Sequence, residues 1–92
     1  MKTQTPSQAD VLEHVTWYVS GYTQIPPAKI KADWELKGTE LSFDDTQLGF
    51  LALSLRGYVQ HYNANSTVLA KETRKTGQTV KTLAALIYEK VK

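Results

Sequence analysis

Three segments of the chain repeat apolar residues at intervals of three and four positions, which is the spacing of one face of an α-helix. No segment shows the alternation and tight turn of a strand–turn–strand unit. The pattern therefore predicts an all-α fold with three main helices, one short helix and a long first loop. A length of 92 residues suits one domain and is too short for two, so residues 1–92 are expected to form a single helical domain.

The first apolar stripe predicts a helix over residues 9–22. Ser7 and Asp10 have the spacing of a capping box, in which two side chains satisfy free backbone N–H groups at the helix start. The helix is expected to end before Pro26, because proline pushes the preceding residue out of the α region. Trp17 on this helix is interpreted as a packing residue.

The second helix is predicted to begin in the cluster of residues 42–45 and to run to about Tyr62. Phe50 and Leu53 lie off its main apolar stripe, so this helix is apolar on more than one face. Such a helix is either central in the core or offers its second face to something else. Core packing is the first interpretation of these two side chains, and a partner surface is the second.

The segment over residues 25–43 has no sustained period and is predicted to be a long loop, from which Trp34 and Leu36 fill part of the core. Loops of this length are uncommon in compact domains and are often functional. A short, weakly amphipathic helix is predicted over residues 67–76. The clearest helix follows an N-cap at Thr79 and completes the all-α prediction.

Charge is unevenly distributed along the chain, whose formal net charge is +2. Residues 1–46 hold seven acids against four lysines, whereas residues 47–92 hold seven basic residues against two acids. This asymmetry bears on partners rather than on the fold. The excess is too mild to indicate nucleic acid by itself, so a helical nucleic-acid-binding module is a lower-ranked alternative. A solvated face is the first interpretation of the basic cluster of Lys71, Arg74 and Lys75, and a surface for an anionic partner is the second.

Several classes of function are not expected. The chain has no cysteine, which excludes disulfides, thiolate metal sites and thiol catalysis. His14 and His61 stand apart from any acidic or histidine cluster at ligand spacing, so no metal site is expected. No nucleophile is paired with a recognisable acid or base, so an enzyme is not expected. The first residues are polar and the chain has no long apolar stretch, so neither a signal peptide nor a membrane span is expected. These features favour a cytoplasmic location.

Residues 41–45, Leu-Ser-Phe-Asp-Asp, are similar to the Leu-Gly-x-Asp-Ser signature of the acyl carrier protein family. Leu51, Leu53, Leu55 and Val59 then fall on apolar positions of that family's second helix, and residues 79–87 are similar to its closing helix. The resemblance runs over residues 11–91. It implies an acyl-carrier-protein-like bundle of three main helices plus one short helix.

In this alignment, Asp45 occupies the position of the serine that carries 4′-phosphopantetheine in the family. Attachment needs an alcohol oxygen to attack the pyrophosphate of coenzyme A, and a carboxylate would give a labile acyl phosphate. The resemblance therefore implies a degenerate carrier without this cofactor. Such a domain would act by protein–protein contact in an acyl-transfer, lipid, polyketide or peptide synthesis system.

The family's second helix is its docking element and is usually acidic, so that basic enzyme surfaces recognise it. Here the second helix has only Asp44 and Asp45 at its start and carries Arg56. Steering towards a basic partner is therefore expected to be weak. The resemblance places Asp44, Phe50 and Leu53 on the partner surface, with an acyl-transfer or synthase enzyme as the expected partner.

A second register makes Ser42 the attachment site, because Ser42-Phe43-Asp44 is similar to the Ser-Leu-Asp that opens the family's second helix. The chain would then be a working carrier with 4′-phosphopantetheine on Ser42. Against this register, Arg56 would occupy a core aromatic position. The ordinary interpretations are that Ser42 is an N-cap and that Asp44 and Asp45 favour the positive end of the helix dipole.

Overall fold

The computed structural model describes residues 5–92, which form four α-helices and no strand. The helices are α1 (Gln8–Thr23), α2 (Asp45–Tyr62), α3 (Ala70–Thr73) and α4 (Val80–Val91), with a 3-10 turn at Pro27–Lys29. Across residues 5–92, the one sheet-like pairing is an isolated antiparallel bridge between Glu35 and Thr79. The predicted all-α class is confirmed.

One apolar cluster joins the helices. α1 packs along α4, and α2 packs against the other three helices. The predicted stripes supply the fully buried side chains of this cluster, among them Val11, Val15, Val19, Leu48, Leu51, Leu55, Val59, Leu83, Ile87 and Val91. Burial of these stripes is the main favourable contribution to folding, since each aliphatic side chain removed from water contributes about 1.5–3 kcal/mol.

Both ends of α1 are defined by local hydrogen bonds. At the start, the Asp10 N–H donates to Ser7 Oγ at 3.1 Å, and the Ser7 N–H donates to the Asp10 carboxylate at 3.2 Å. The predicted capping box is therefore present. At the end, Gln24 adopts a left-handed conformation with φ of 66°, and its N–H donates to the Ser20 carbonyl at 2.8 Å. The chain thus leaves the helix at Gln24, two residues before Pro26.

The long loop between α1 and α2 is attached to the start of α4. The N–H groups of Val80 and Lys81, which have no partner within their own helix, donate to the carbonyl oxygens of Trp34 and Ala32 at 3.2 and 2.8 Å. Leu36 is fully buried, as predicted, and Trp34 is half-buried against the core. The same short stretch of the loop therefore accepts hydrogen bonds from the first N–H groups of α4 and fills part of the core.

The third helix is shorter than predicted. The prediction covered residues 67–76, and the structure has a single turn, Ala70–Thr73. Its strongest attachment to α2 is polar, because the fully buried Thr73 donates its hydroxyl to the Leu48 carbonyl at 2.7 Å. Val68 just before the turn is buried as well. With so few apolar side chains to bury, this segment does not support a longer helix.

Trp17 contradicts its interpretation as a packing residue. Its side chain is 70% exposed on the outer face of α1. The buried positions of α1 are Val11, Val15 and Val19, and Trp17 projects from the side opposite to them. The helical period identified the buried stripe correctly, and the size of the indole led to the wrong assignment for this residue.

We expect Gly57→Ala to stabilise the protein by about 1 kcal/mol, because alanine is the better helix former in the interior of α2. A Cβ at this position would meet no atom within 4 Å, so the substitution has no steric cost. For a domain of this size the midpoint of thermal unfolding should rise by about 4–8 °C, measured by circular dichroism.

The control is Gly77→Ala, at a φ of 82° that side chains rarely adopt. This variant should be less stable than the wild type by about 1–2 kcal/mol. An unfolding midpoint for Gly57→Ala at or below that of the wild type would contradict the assignment of residue 57 to an exposed helix interior.

Candidate functional site

The start of α2 is built around a capping box on Asp44. The Gln47 N–H donates to the Asp44 carboxylate at 2.7 Å, and the Asp44 N–H donates to the Gln47 side-chain oxygen at 3.0 Å. Asp45 is the first residue of the helix and is exposed, with its carboxylate 3.3 Å from Lys37 Nζ. One oxygen of the Asp44 carboxylate thus caps the helix, while Asp45 presents a paired carboxylate to solvent.

Ser42 lies two residues before this cap. Its backbone has a φ of 52°, in the left-handed region, and its exposed hydroxyl donates to the Thr39 carbonyl at 2.8 Å. The interpretation of Ser42 as the N-cap is wrong, because Asp44 fills that position. Helix initiation within residues 42–45 was nevertheless placed correctly.

The two candidate positions differ in whether they fit 4′-phosphopantetheine. Asp45 offers no alcohol oxygen, so the residue at the helix start does not fit this group. Ser42 offers an exposed hydroxyl, but on the loop side of the cap and bonded to a backbone carbonyl.

Phe50 and Leu53 are exposed on α2. Each side chain is 55% accessible to solvent, so their interpretation as core residues is wrong. The stripe residues Leu48, Leu51 and Leu55 take the buried positions of the helix and leave the second apolar face uncovered. Large apolar side chains that are exposed next to one another mark interaction surfaces more often than scattered single ones do.

A groove of about 480 Å³ lies between α2 and residues 67–74, and we call it the α2–α3 groove. Its apolar lining comes from Phe50, Ala52, Leu53, Val68 and Leu69, and its charged lining consists of Arg56 and Arg74. No acidic residue lines it. The groove is therefore an apolar depression with an unbalanced positive charge.

Arg74 is held in place against the first turns of α2. Its Nε–H donates to the Asp45 carbonyl at 2.9 Å, and its guanidinium lies over Gly49, where a Cβ would come within 2.9 Å of Nη2. Within residues 5–92, neither Arg74 nor Arg56 forms an ion pair with a carboxylate. Both guanidinium groups are thus available to an external anion.

The structure divides the basic cluster found in the sequence. Lys71 and Lys75 line a separate depression on the other side of α3, beside Glu72 and Gln78, whereas Arg74 faces the α2–α3 groove. Sequence spacing did not reveal the convergence of Arg74 with Arg56, because it depends on how the single turn of α3 packs on α2. The position of Arg56 on the flank of the apolar stripe, three residues after Leu53, was the one available signal.

An aromatic cluster occupies the contact between α1 and α2. His14 stacks on Tyr58 with ring centroids 4.1 Å apart, and Tyr18 and Tyr62 contact this pair edge-on. Burial, together with charge repulsion from the nearby ionisable Tyr62, Asp10 and Tyr18, raises the pKa of Tyr58 to about 12. The cluster packs two helices together.

In residues 5–92, no three His, Cys, Asp or Glu side chains come together as a group able to hold a metal ion, and His14 and His61 are in aromatic contacts instead. None of the helices in the same residues combines the length and the apolar character that crossing a membrane requires.

Comparison with protein-family models, with curated proteins and with solved structures finds no significant match to this chain.

We expect Tyr58→Phe to flatten the pH dependence of stability between pH 10 and pH 12. The unfolded chain loses the Tyr58 proton near pH 10, whereas the folded protein keeps it to about pH 12. The unfolded state therefore binds fewer protons in this window, and the free energy of unfolding of the wild type falls as the pH rises.

Urea unfolding at several pH values measures this effect, with the variant as the reference because it keeps the other four tyrosines and all the lysines. If the free energy of unfolding depended on pH in the same way in both proteins, the prediction would fail. The Tyr58 hydroxyl would then be as well solvated as in the unfolded chain.

Proposed function

We propose that the chain is an acyl-carrier-protein-like domain that carries no phosphopantetheine and is not itself an enzyme. It acts by binding a protein partner in an acyl-transfer, lipid, polyketide or peptide synthesis system. The observation that carries the proposal is a carboxylate, Asp45, at the first position of α2, with Phe50 and Leu53 exposed on the same helix. The first feature removes the attachment chemistry, and the second provides a surface for contact.

The environment of Asp45 suits a permanent carboxylate. An anion at a helix start is stabilised by the free N–H groups and by the helix dipole. Lys37, at 3.3 Å, adds an ion pair that is exposed and therefore weak. Nothing at this position supplies the nucleophilic hydroxyl that transfer from coenzyme A requires, so the residue stabilises the helix start and takes part in no transfer.

The exposed face of α2 supports binding by contact. Phe50 and Leu53 are three residues apart and therefore neighbours on one side of the helix. A chain that buries its other aliphatic stripes almost completely leaves these two more than half exposed. An aromatic and an aliphatic side chain on a rigid helix are anchors of the kind that dominate protein interfaces.

Asp44 has a smaller part in the proposal. Its carboxylate is used by the capping box with Gln47, which explains its presence without a partner. We therefore assign contact with the partner to Phe50 and Leu53.

A working carrier with 4′-phosphopantetheine on Ser42 is the second candidate, and the exposed hydroxyl of Ser42 favours it. Two features weigh against it: the left-handed backbone at Ser42 and the hydrogen bond from its hydroxyl to Thr39. Both would have to change, or be accommodated by the modifying enzyme, for the hydroxyl to attack coenzyme A.

Intact-mass measurement after incubation with coenzyme A and a broad-specificity phosphopantetheinyl transferase tests the proposal. We expect no mass gain for the wild type or for Ser42→Ala. We expect Asp45→Ser to gain the mass of one phosphopantetheine, because it restores an alcohol oxygen at the helix start where the family resemblance places the attachment site.

Two results would count against the proposal. A mass gain in the wild type that disappears in Ser42→Ala would establish the working carrier instead. An Asp45→Ser variant that folds normally by circular dichroism and stays unmodified would remove the support for the acyl-carrier-like placement of residue 45.

A further inference from the structure

We infer that the α2–α3 groove binds an acidic, amphipathic helical segment of a partner protein. The inference deepens the proposed function, because it states the chemistry of the partner that meets the exposed face of α2. It is carried by the coincidence of two features in one place: an uncovered apolar floor and two arginines without carboxylate partners.

The floor of the groove calls for apolar side chains from the partner. Phe50 and Leu53 rise from α2, and Leu69, 45% exposed, faces the same groove from the opposite wall. Apolar side chains that cover these three residues leave water together with them, which is the main driving force for association. A purely polar or nucleic-acid ligand would leave this apolar area without a partner.

The shape of the groove calls for a helix. It follows α2 from Thr46 to Arg56, a length of about 15 Å at 1.5 Å per residue, or about three helical turns. A peptide that binds by adding a β-strand needs the free edge of a sheet, and residues 5–92 contain no strand. An amphipathic helix laid into an apolar groove is a common mode of peptide binding, with anchors at helical spacing, and it suits a groove that runs along α2 for about three turns.

The charge of the groove calls for acids on that helix. Arg74 lies at the end near Gly49, and Arg56 lies at the other end, about two turns further along α2. Guanidinium groups bind carboxylates through paired hydrogen bonds, and an isolated cation in an apolar groove is the complement of an acid. Arg74 is already held by its bond to the Asp45 carbonyl, so less side-chain freedom is lost when it binds.

A basic partner is disfavoured by the same geometry. Its cations would lie against Arg56 and Arg74, and like charges brought together across an interface oppose binding. Asp45, the nearest carboxylate at this end of α2, is paired with Lys37 and does not line the groove.

A second copy of the chain fits less well than a separate partner. The helical face on which the chain places exposed acids beside a large exposed apolar side chain is the outer face of α1, where Asp10 and Glu13 lie near Trp17. These two acids are three residues apart, or about one turn, whereas the arginines are separated by about two turns. One of the two acids would therefore miss its cation.

Selection from a displayed library of random peptides about 16 residues long, enough for four helical turns, tests the inference. The full chain is the immobilised target. We expect the enriched peptides to share apolar residues at helical spacing together with Asp or Glu. The leading peptide, synthesised with a fluorescent label, should gain helical circular dichroism when it binds.

Matched variants locate the binding site. Leu53→Asp and Arg56→Glu should each weaken binding of the leading peptide by at least about tenfold, because the first puts a charge on the apolar floor and the second reverses the charge that binds the peptide's acid. Trp17→Asp introduces an acid at another exposed apolar position, and Lys75→Glu makes the same charge change on the other side of α3. These two controls should bind the peptide as the wild type does.

Three results would overturn the inference: enriched peptides that are basic or lack acids, no enrichment, or equal loss of binding in the control variants. Sedimentation equilibrium provides a separate test, since self-association that Arg56→Glu abolishes would place a second copy in the groove. Failure here is distinguishable from failure of the proposed function, because the mass assay on Asp45 and Ser42 does not depend on the groove.

Discussion

The fold depends on the satisfaction of the first N–H groups of α4 by the long loop. A helix leaves its first donors without internal partners, and here Val80 and Lys81 find theirs in loop carbonyls. Leu36 donates its own N–H to the Gln78 carbonyl at 2.9 Å and buries its side chain completely. A loop that would otherwise be expensive to order is therefore fixed by the end of a helix that is itself part of the core.

This attachment determines where α2 begins. The Phe43 N–H donates to the Leu36 carbonyl at 2.9 Å, and both Leu41 and Phe43 are buried. These contacts fix the position of the backbone just before Asp44, which caps the helix, and Asp45 follows as the first helical residue. Because α2 also supplies one wall of the α2–α3 groove, the position of the surface proposed to bind a partner depends on an ordered loop.

The predictable part of the structure was the part governed by local rules. Capping boxes and apolar stripes depend on residues within a few positions of one another, so the main helices were located from the sequence. Phe50 and Leu53 were misassigned because the period shows that a face is apolar and not whether another element covers it. That element, α3, is a single turn held by the buried hydroxyl of Thr73, and it is too short to cover a second face. Arg74 reaches the groove for the same tertiary reason.

The central claim is that the loop over residues 30–44 is held as firmly as the helices, so that the start of α2 has one position. Native-state amide hydrogen exchange measured by NMR tests this directly. The N–H groups of Leu36, Val80 and Lys81 should exchange about as slowly as those of the core residues Leu51 and Leu55. Exchange of these three amides at the rate of an unprotected loop, while α2 remains protected, would contradict the account.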